Sequence, residues 1–106
     1  MISQLRTAAM ILLILAMAGT AFAQMSGEAI YKAKCASCHG ADGQAATAMG
    51  KTMKVLPFKD PAMLKASYSQ FFAATRNGKG KMPAYNGKLT DAQIKDVTEY
   101  IRTLQK

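Results

Sequence analysis

The 106-residue sequence lacks tryptophan and contains one histidine, two cysteines and only six acidic residues, against 14 lysines and arginines. A single histidine excludes sites that need several imidazoles, such as the zinc site of hydrolases with two histidines and a glutamate. Two cysteines cannot build a disulfide-dense scaffold. The phosphate-binding loops G-x-x-x-x-G-K-[ST] and G-x-G-x-x-G are absent from the sequence. Because half of the residues are apolar, we expect one folded domain rather than a disordered chain.

The first 23 residues contain the three parts of a secretory signal peptide. Arg6 precedes the apolar run Ala8–Ala18, and an A-x-A cleavage motif follows at Ala21–Ala23. The alternative is a retained membrane anchor, but a membrane-spanning helix needs about 20 apolar residues. We therefore expect residues 1–23 to be a cleaved signal peptide. Residues 24–106 then form one basic domain in a bacterial periplasm, with no stable membrane insertion after cleavage.

The rest of the chain carries helix signals and almost no strand signal. Ser26 is suited to cap a short helix over Gly27–Lys34, and Asp60 followed by Pro61 opens another helix to about residue 66. Two capping boxes, S-x-x-Q at 67–70 and T-x-x-Q at 90–93, begin two more helices. The last helix has apolar residues at helical spacing, namely Ile94, Val97, Ile101 and Leu104. The pattern predicts an all-α domain of about four short helices, with long loops at residues 40–60 and 77–89.

Both cysteines and the only histidine lie within one segment, Cys35–His39, with the sequence CASCH. C-x-x-C-H is the attachment signature of a c-type haem. Two thiols three residues apart can each add to one vinyl group of the haem, and the adjacent imidazole is then held over the iron. We therefore expect Cys35 and Cys38 to bind one haem c covalently and His39 to be an iron ligand.

Three other roles of the cysteines are possible. A redox-active dithiol of the thioredoxin kind needs a βαβ pattern, which the sequence does not show. A structural zinc ion needs four ligands, and the chain has only three cysteine and histidine residues in total. A plain structural disulfide would leave the adjacent histidine without a role.

A six-coordinate iron needs a second axial ligand. Methionine or lysine could fill this position, or it could be left vacant. Met82 differs from the other methionines in its context, because Gly78 and Gly80 precede it and Pro83 follows it. Glycine lets the backbone approach a flat cofactor closely, and proline stiffens the loop. A thioether is also a soft ligand that suits reduced iron. We therefore expect Met82 to be the second ligand, and the next candidates are Met49 and Met53.

Taken together, these residues resemble the class I c-type cytochromes, of the small monohaem bacterial kind. Gly27 and Tyr31 match the N-terminal helix of that family, and the CASCH segment matches its haem motif. The sequence MPAY at residues 82–85 matches the distal segment, and the stretch Asp91–Leu104 matches the C-terminal helix that crosses the first helix. The resemblance implies a cytochrome c fold, in which a few helices surround one haem and leave one haem edge exposed.

The resemblance also implies a function, which is to carry single electrons and not to catalyse a reaction as an enzyme. With both axial positions of the iron filled, no position remains for a substrate. In the family a proline carbonyl often accepts a hydrogen bond from the second nitrogen of the ligand histidine, and Pro57 and Pro61 are the candidates here. The candidates for the apolar wall around the haem are Ile30, Phe58, Leu64, Phe71, Phe72, Tyr85, Ile94 and Val97.

The excess of lysine bears on the partners of the protein. The candidates for a basic ring around the haem are Lys51, Lys54, Lys59, Lys79, Lys81 and Lys88. Such a ring would steer a monomeric carrier to redox partners with acidic docking faces, whereas scattered lysines would only be solvated. Arg76 or Lys79 could pair with a haem propionate. Binding of nucleic acid is not expected of an exported protein without a recognised module.

Two rival functions are a haem subunit of a larger oxidoreductase complex and a ligand-binding haem sensor.

Overall fold

A computed structural model describes residues 25–106, so the predicted signal peptide lies outside the described residues. The described chain contains helices, turns and two isolated β-bridges but no strand, which confirms the all-α prediction. Among these residues, no helix combines the length and the hydropathy that crossing a bilayer requires. The helices in chain order are α1 (Gly27–Lys34), α2 (Ala36–His39), α3 (Ala48–Thr52), α4 (Pro61–Lys65), α5 (Tyr68–Asn77) and α6 (Asp91–Thr103).

The predicted helix starts are confirmed at the level of individual caps. The Ser26 hydroxyl accepts a hydrogen bond from the backbone N–H of Ala29 at 3.1 Å, and the Asp60 carboxylate accepts one from Ala62 at 2.9 Å. Both capping boxes, at residues 67–70 and 90–93, are formed in full. Each cap satisfies backbone donors that the first turn of a helix leaves free, so these sequences begin helices without help from distant residues.

Helices α1 and α6 form the most extensive helix–helix contact of the described chain, in agreement with the resemblance. Gly27 makes their close approach possible, because a Cβ atom at this position would lie 2.1 Å from the backbone oxygen of Asp96. Directly beside this contact, Ile30, Ile94 and Val97 are almost fully buried. The crossing therefore makes a rigid frame on which the rest of the chain is built.

Two short helices were not predicted, and the expectation of an uninterrupted loop over residues 40–60 was wrong. The haem motif itself forms the single turn of α2, and α3 lies within the expected loop. Helix α3 is capped by the Thr47 hydroxyl, which accepts a hydrogen bond from Gly50 at 2.9 Å. A helix of five residues is too short to show an apolar period, which is why the sequence did not reveal it.

Five of the eight residues predicted to form the apolar wall around the haem are buried, but three of these, Ile30, Ile94 and Val97, belong to the α1–α6 crossing and do not line the cavity of the domain. Phe58 and Phe71 are buried together with the residues of the α1–α6 crossing. Leu64 was a wrong prediction, since 49% of its surface is exposed, and its neighbour Met63 packs against the core instead. Phe72 is only partly buried and stacks on Tyr68, with ring centroids 6.4 Å apart.

Candidate functional site

A cavity of about 1220 Å³ opens between α2, α3, α4, α5 and the loop that follows α5. Typical small-molecule sites measure about 300–1000 Å³, so this cavity suits a ligand as large as a haem macrocycle. Cys35, Cys38 and His39 line it from one side, and Met82 lines it from the loop after α5. The four predicted site residues therefore face one space, although Met82 is distant from the other three in sequence.

The two cysteines sit at the junction of α1 and α2. Cys35 ends α1, where its backbone N–H donates to the carbonyl of Tyr31 at 2.8 Å, and it also precedes the first residue of α2. Both thiols are free, with Cys35 buried and Cys38 partly exposed. Burial, with a smaller effect of the neighbouring Cys38 thiol, raises the pKa of Cys35 to about 11.

The environment of these thiols differs from that of a redox-active dithiol. Nucleophilic redox cysteines have a lowered pKa, whereas the pKa of Cys35 is raised. A zinc site is equally unsupported, because no group of three or more histidine, cysteine, aspartate or glutamate residues within 25–106 could hold a metal ion.

Contacts to the backbone hold the motif in place from both sides. The Thr47 hydroxyl lies 2.8 Å from the carbonyl of Ser37 and 3.1 Å from that of Cys38, and it donates its single hydrogen between them. Gly50 packs so closely that a Cβ atom there would lie 2.4 Å from the carbonyl oxygen of Cys38. On the α1 side, the Tyr31 hydroxyl donates to the carbonyl of Gly40 at 2.6 Å. These contacts fix the backbone that carries the thiols and the imidazole.

The His39 ring stacks against Phe58, with centroids 4.7 Å apart and planes 13° from parallel. Its Nδ1 atom is buried and has no hydrogen-bond partner among the described residues. Neither of the two candidates, Pro57 and Pro61, therefore accepts a hydrogen bond from this atom. Burial lowers the pKa of His39, which favours the neutral imidazole that a metal ligand must be.

The loop that carries Met82 is a tight turn. Lys79 and Met82 donate backbone hydrogen bonds to each other's carbonyls, at 3.1 and 3.0 Å. Gly80 within the turn has φ +57°, and Gly78 before it has φ +78°. A Cβ atom on Gly78 would lie 2.9 Å from the backbone oxygen of Met82. Glycine at position 78 is thus required by both its backbone angle and the close approach.

A second anchor follows Met82 in the chain. The backbone N–H of Tyr85 donates to the carbonyl of Thr75 at 3.0 Å, and that of Asn86 donates to the carbonyl of Arg76 at 3.0 Å. The Tyr85 side chain lines the cavity, and its hydroxyl donates to the carbonyl of Lys34 at 3.0 Å. Backbone hydrogen bonds therefore hold the chain both before and after Met82 in the sequence.

Other methionines also reach the cavity. Met49 and Met53 line it from α3 and its C-terminal end, with 47% and 38% of their surfaces exposed, and Met63 lines it from α4. Position alone therefore does not separate Met82 from these three. The local structure does separate them, because Met82 lies in a turn closed by two backbone bonds with Lys79, whereas Met49 and Met63 lie within helices.

Exposed lysines line the cavity and form a lysine rim. Those that line it are Lys34, Lys54, Lys65, Lys79 and Lys81, and no aspartate, glutamate or arginine among the described residues does so. Three of the six lysines predicted to form a ring are in this set. The other three, Lys51, Lys59 and Lys88, are not. Lys34 and Lys65 were missed because they belong to the last turns of α1 and α4, and only the fold turns those helix ends toward the cavity. Arg76 pairs instead with Asp91 at 3.1 Å.

The donor set of the cavity fits a haem c. Two free thiols, a neutral imidazole and a thioether are the groups that attach such a haem and ligate its iron. The size of the cavity also agrees with that group.

Known proteins resemble the chain along most of its length. The sequence model of the family described as cbb3-type cytochrome c oxidase, subunit III, matches residues 22–101. The cytochrome c6 of Nostoc sp. strain PCC 7120 is 38% identical over 77 residues, which cover 73% of this chain and 67% of the relative. The cytochrome c6 of Bumilleriopsis filiformis is 37% identical over 76 residues, which cover 72% of this chain and 85% of the relative.

A solved structure shows the same fold. The c-type cytochrome KustC0563 superposes with a TM-score of 0.71 at 26% sequence identity, over 77% of this chain and the whole of that chain. The cytochrome c fold, the absence of enzymatic activity and the haem cofactor that the sequence predicted are confirmed by these relationships. The chain belongs to the class I c-type cytochromes, a family of small electron carriers that act with redox partners and hold haem c, with its iron, by covalent bonds.

Proposed function

We propose that this chain is an exported single-electron carrier with its haem attached to Cys35 and Cys38 and its iron ligated by His39 and Met82. One observation carries the proposal: two thiols, an imidazole and a thioether, from opposite ends of the domain, line a single cavity of about 1220 Å³. No local constraint in the sequence requires that meeting. It follows from the path of the chain around the α1–α6 frame.

The bound haem supplies reversible one-electron exchange at its iron. The residues of the chain hold it in a fixed environment. Thr47 and Tyr31 fix the backbone on either side of the CASCH segment, and Gly78 lets the backbone of Met82 approach closely. The buried side chains of Phe58 and Phe71 exclude water from the side of the cavity on which His39 lies. With His39 and Met82 both bound to the iron, no open position remains for a substrate, which favours electron transfer over ligand sensing.

The location of the protein follows from residues 1–23. The charged start, the short apolar run and the A-x-A motif support cleavage after Ala23 and export to the periplasm. Export also agrees with covalent attachment, because a haem lost outside the cytoplasm could not be recovered. Mass spectrometry of the secreted protein tests both points, and we expect a chain that begins at Gln24 and carries one haem. A bare polypeptide mass would contradict haem attachment, and a retained N-terminus would contradict cleavage.

The lysine rim supports the proposal that the redox partners of the protein have acidic docking faces. Five lysines line the cavity, and among the described residues no aspartate or glutamate does so. Such a one-signed field raises the rate at which an acidic partner meets the haem edge, and it weakens as salt is added. A monomeric carrier leaves this rim free for each partner in turn.

Spectroscopy of the purified holoprotein tests the ligand assignment. We expect Met82→Ala to lose the sulfur-to-iron charge-transfer band of the oxidised protein and to bind carbon monoxide readily when reduced. Met49→Ala and Met53→Ala are matched controls, since both residues line the same cavity. A band that survives in Met82→Ala and disappears in a control would assign the ligand to that other methionine.

A second candidate function is supported by the family match, because that family is named after a subunit of cbb3-type cytochrome c oxidase. In that case the chain would serve as a small haem subunit of a larger oxidoreductase complex. Gel filtration of extracts from the native host separates the two functions. A free carrier elutes at the size of the 24–106 chain, and a subunit elutes with the complex.

A further inference from the structure

The loop that carries Met82 is attached to helix α5 along one side only. The backbone bonds from Tyr85 to Thr75 and from Asn86 to Arg76 join it to the C-terminal end of α5. The close contact between Gly78 and Met82 belongs to the same side. None of these contacts reaches the opposite wall of the cavity, where the CASCH segment lies.

The Tyr85 hydroxyl makes the connection to that opposite wall. It donates to the carbonyl of Lys34 at 3.0 Å, across 51 positions of sequence. Lys34 is the last residue of α1 and directly precedes Cys35. Within the described residues, this is the only side-chain hydrogen bond made by the segment 78–89.

The surroundings of the Tyr85 hydroxyl keep it a hydrogen-bond donor. Burial raises the pKa of Tyr85, so the phenol stays protonated through neutral pH. The ammonium group of Lys88 lies 5.7 Å from the centroid of the ring and steadies it from the loop side. The ring lines the cavity, and the hydroxyl reaches past it to the end of α1.

We propose that Tyr85 is a positioning residue, whose hydroxyl ties the Met82 loop to the backbone that carries Cys35 and thereby keeps the thioether on the iron. This inference rests on the proposed function, in which Met82 is an axial ligand. Without the hydroxyl, the α5 side and the sulfur–iron bond alone hold the loop. The loop would then open more often. The loss of one hydrogen bond of typical net strength shifts the equilibrium between closed and open loop by roughly fivefold toward the open form.

The test compares the holoprotein variants Tyr85→Phe and Tyr100→Phe with the wild type. Tyr85→Phe removes the tether and retains the ring. Tyr100→Phe removes a hydroxyl from a partly buried ring that packs against Tyr31 away from the cavity, with ring centroids 5.3 Å apart and planes inclined by 55°. For each protein, the affinity of the oxidised form for imidazole and the hydrogen exchange of the amides at residues 82, 85 and 86 are measured.

In Tyr85→Phe, we expect imidazole to bind roughly fivefold more tightly and the three amides to exchange roughly fivefold faster, with the sulfur-to-iron band still present. Tyr100→Phe should behave as the wild type in both measurements. Wild-type affinity and exchange in Tyr85→Phe would overturn the tether, and so would equal changes in both variants. Absence of the sulfur-to-iron band from the wild type itself would instead overturn the ligand assignment, so the two failures are distinguishable.

Discussion

At the scale of single residues, Tyr31 links helix α1 to the backbone that follows the haem motif. Its side chain is fully buried, and its hydroxyl donates to the carbonyl of Gly40 at 2.6 Å. We expect Tyr31→Phe to lower the free energy of unfolding by about 0.5–1.5 kcal/mol, because the carbonyl of Gly40 then loses this donor and keeps only the backbone N–H of Gly43 at 3.1 Å. Denaturant unfolding of the holoprotein measures the change. Tyr100→Phe serves as the control, and equal stability of Tyr31→Phe and wild type would contradict the role of this bond.

The same residue predicts a dependence of stability on pH. Burial is the main reason that the pKa of Tyr31 is raised, with smaller effects from nearby groups that include Cys35. A phenol with a raised pKa in the folded state ionises more easily in the unfolded chain, so its contribution to stability is complete below about pH 10 and is lost above it. We expect the free energy of unfolding to fall above about pH 10, and to fall less steeply in Tyr31→Phe. Parallel pH profiles of the two proteins would exclude this effect.

At the scale of elements, the crossing of α1 and α6 depends on the absence of a side chain at Gly27. A Cβ atom there would lie 2.1 Å from the backbone oxygen of Asp96, and neither backbone can move without shifting a helix. We expect Gly27→Ala to lower the free energy of unfolding by about 2–3 kcal/mol, as overpacking does in other cores. Thermal or denaturant unfolding tests this. A variant as stable as the wild type would show that the helices separate at low cost.

The turn around Met82 allows a matched comparison of two glycines. Gly78 and Gly87 both have a positive φ, +78° and +85°, so alanine is strained at either position. Only at position 78 would the new Cβ meet the chain, 2.9 Å from the backbone oxygen of Met82, whereas nothing lies within 4 Å of it at position 87.

We therefore expect Gly78→Ala to weaken the sulfur-to-iron band and to lower the reduction potential, and we expect Gly87→Ala to change neither. Displacement of a thioether ligand removes the feature of His/Met ligation that raises the potential. Absorption spectra and redox titration of the two holoproteins provide the measurement. Equal effects of both substitutions would show that backbone strain, and not the contact with Met82, is responsible.

At the scale of the whole molecule, charge is distributed unevenly around the cavity. All of the charged residues that line it within the described chain are lysines. We expect the double variant Lys65→Gln/Lys81→Gln to slow electron transfer to an acidic redox partner by roughly three- to tenfold at low ionic strength. Lys95→Gln is the control, because Lys95 is exposed on α6 and does not line the cavity.

The rate constants come from stopped-flow measurements over a range of salt concentrations. The difference between wild type and double variant should shrink as salt rises, because exposed charges are screened. A rate that does not depend on salt, or an equal loss in Lys95→Gln, would show that the rim does not steer the encounter.

The amino-acid sequence alone determined those structural features that depend on contacts between residues close together in the chain. The Ser26 and Asp60 caps and the two capping boxes form within single turns, and the apolar period of α6 repeats within one helix. The CASCH motif is also local, since two thiols and an imidazole need only adjacent positions to meet one cofactor. For these features, the energy that selects the structure arises between residues only a few positions apart.

Tertiary structure decided which distant groups meet. Met63 rather than Leu64 turned inward, Lys34 and Lys65 joined the rim of the cavity, and the Tyr85 hydroxyl reached the end of α1. No period or cap encodes these meetings, because they depend on the angle at which α1 crosses α6 and on the route of the loops between them. Helix formation is decided over one turn of chain, whereas a binding site is assembled by packing across the whole domain.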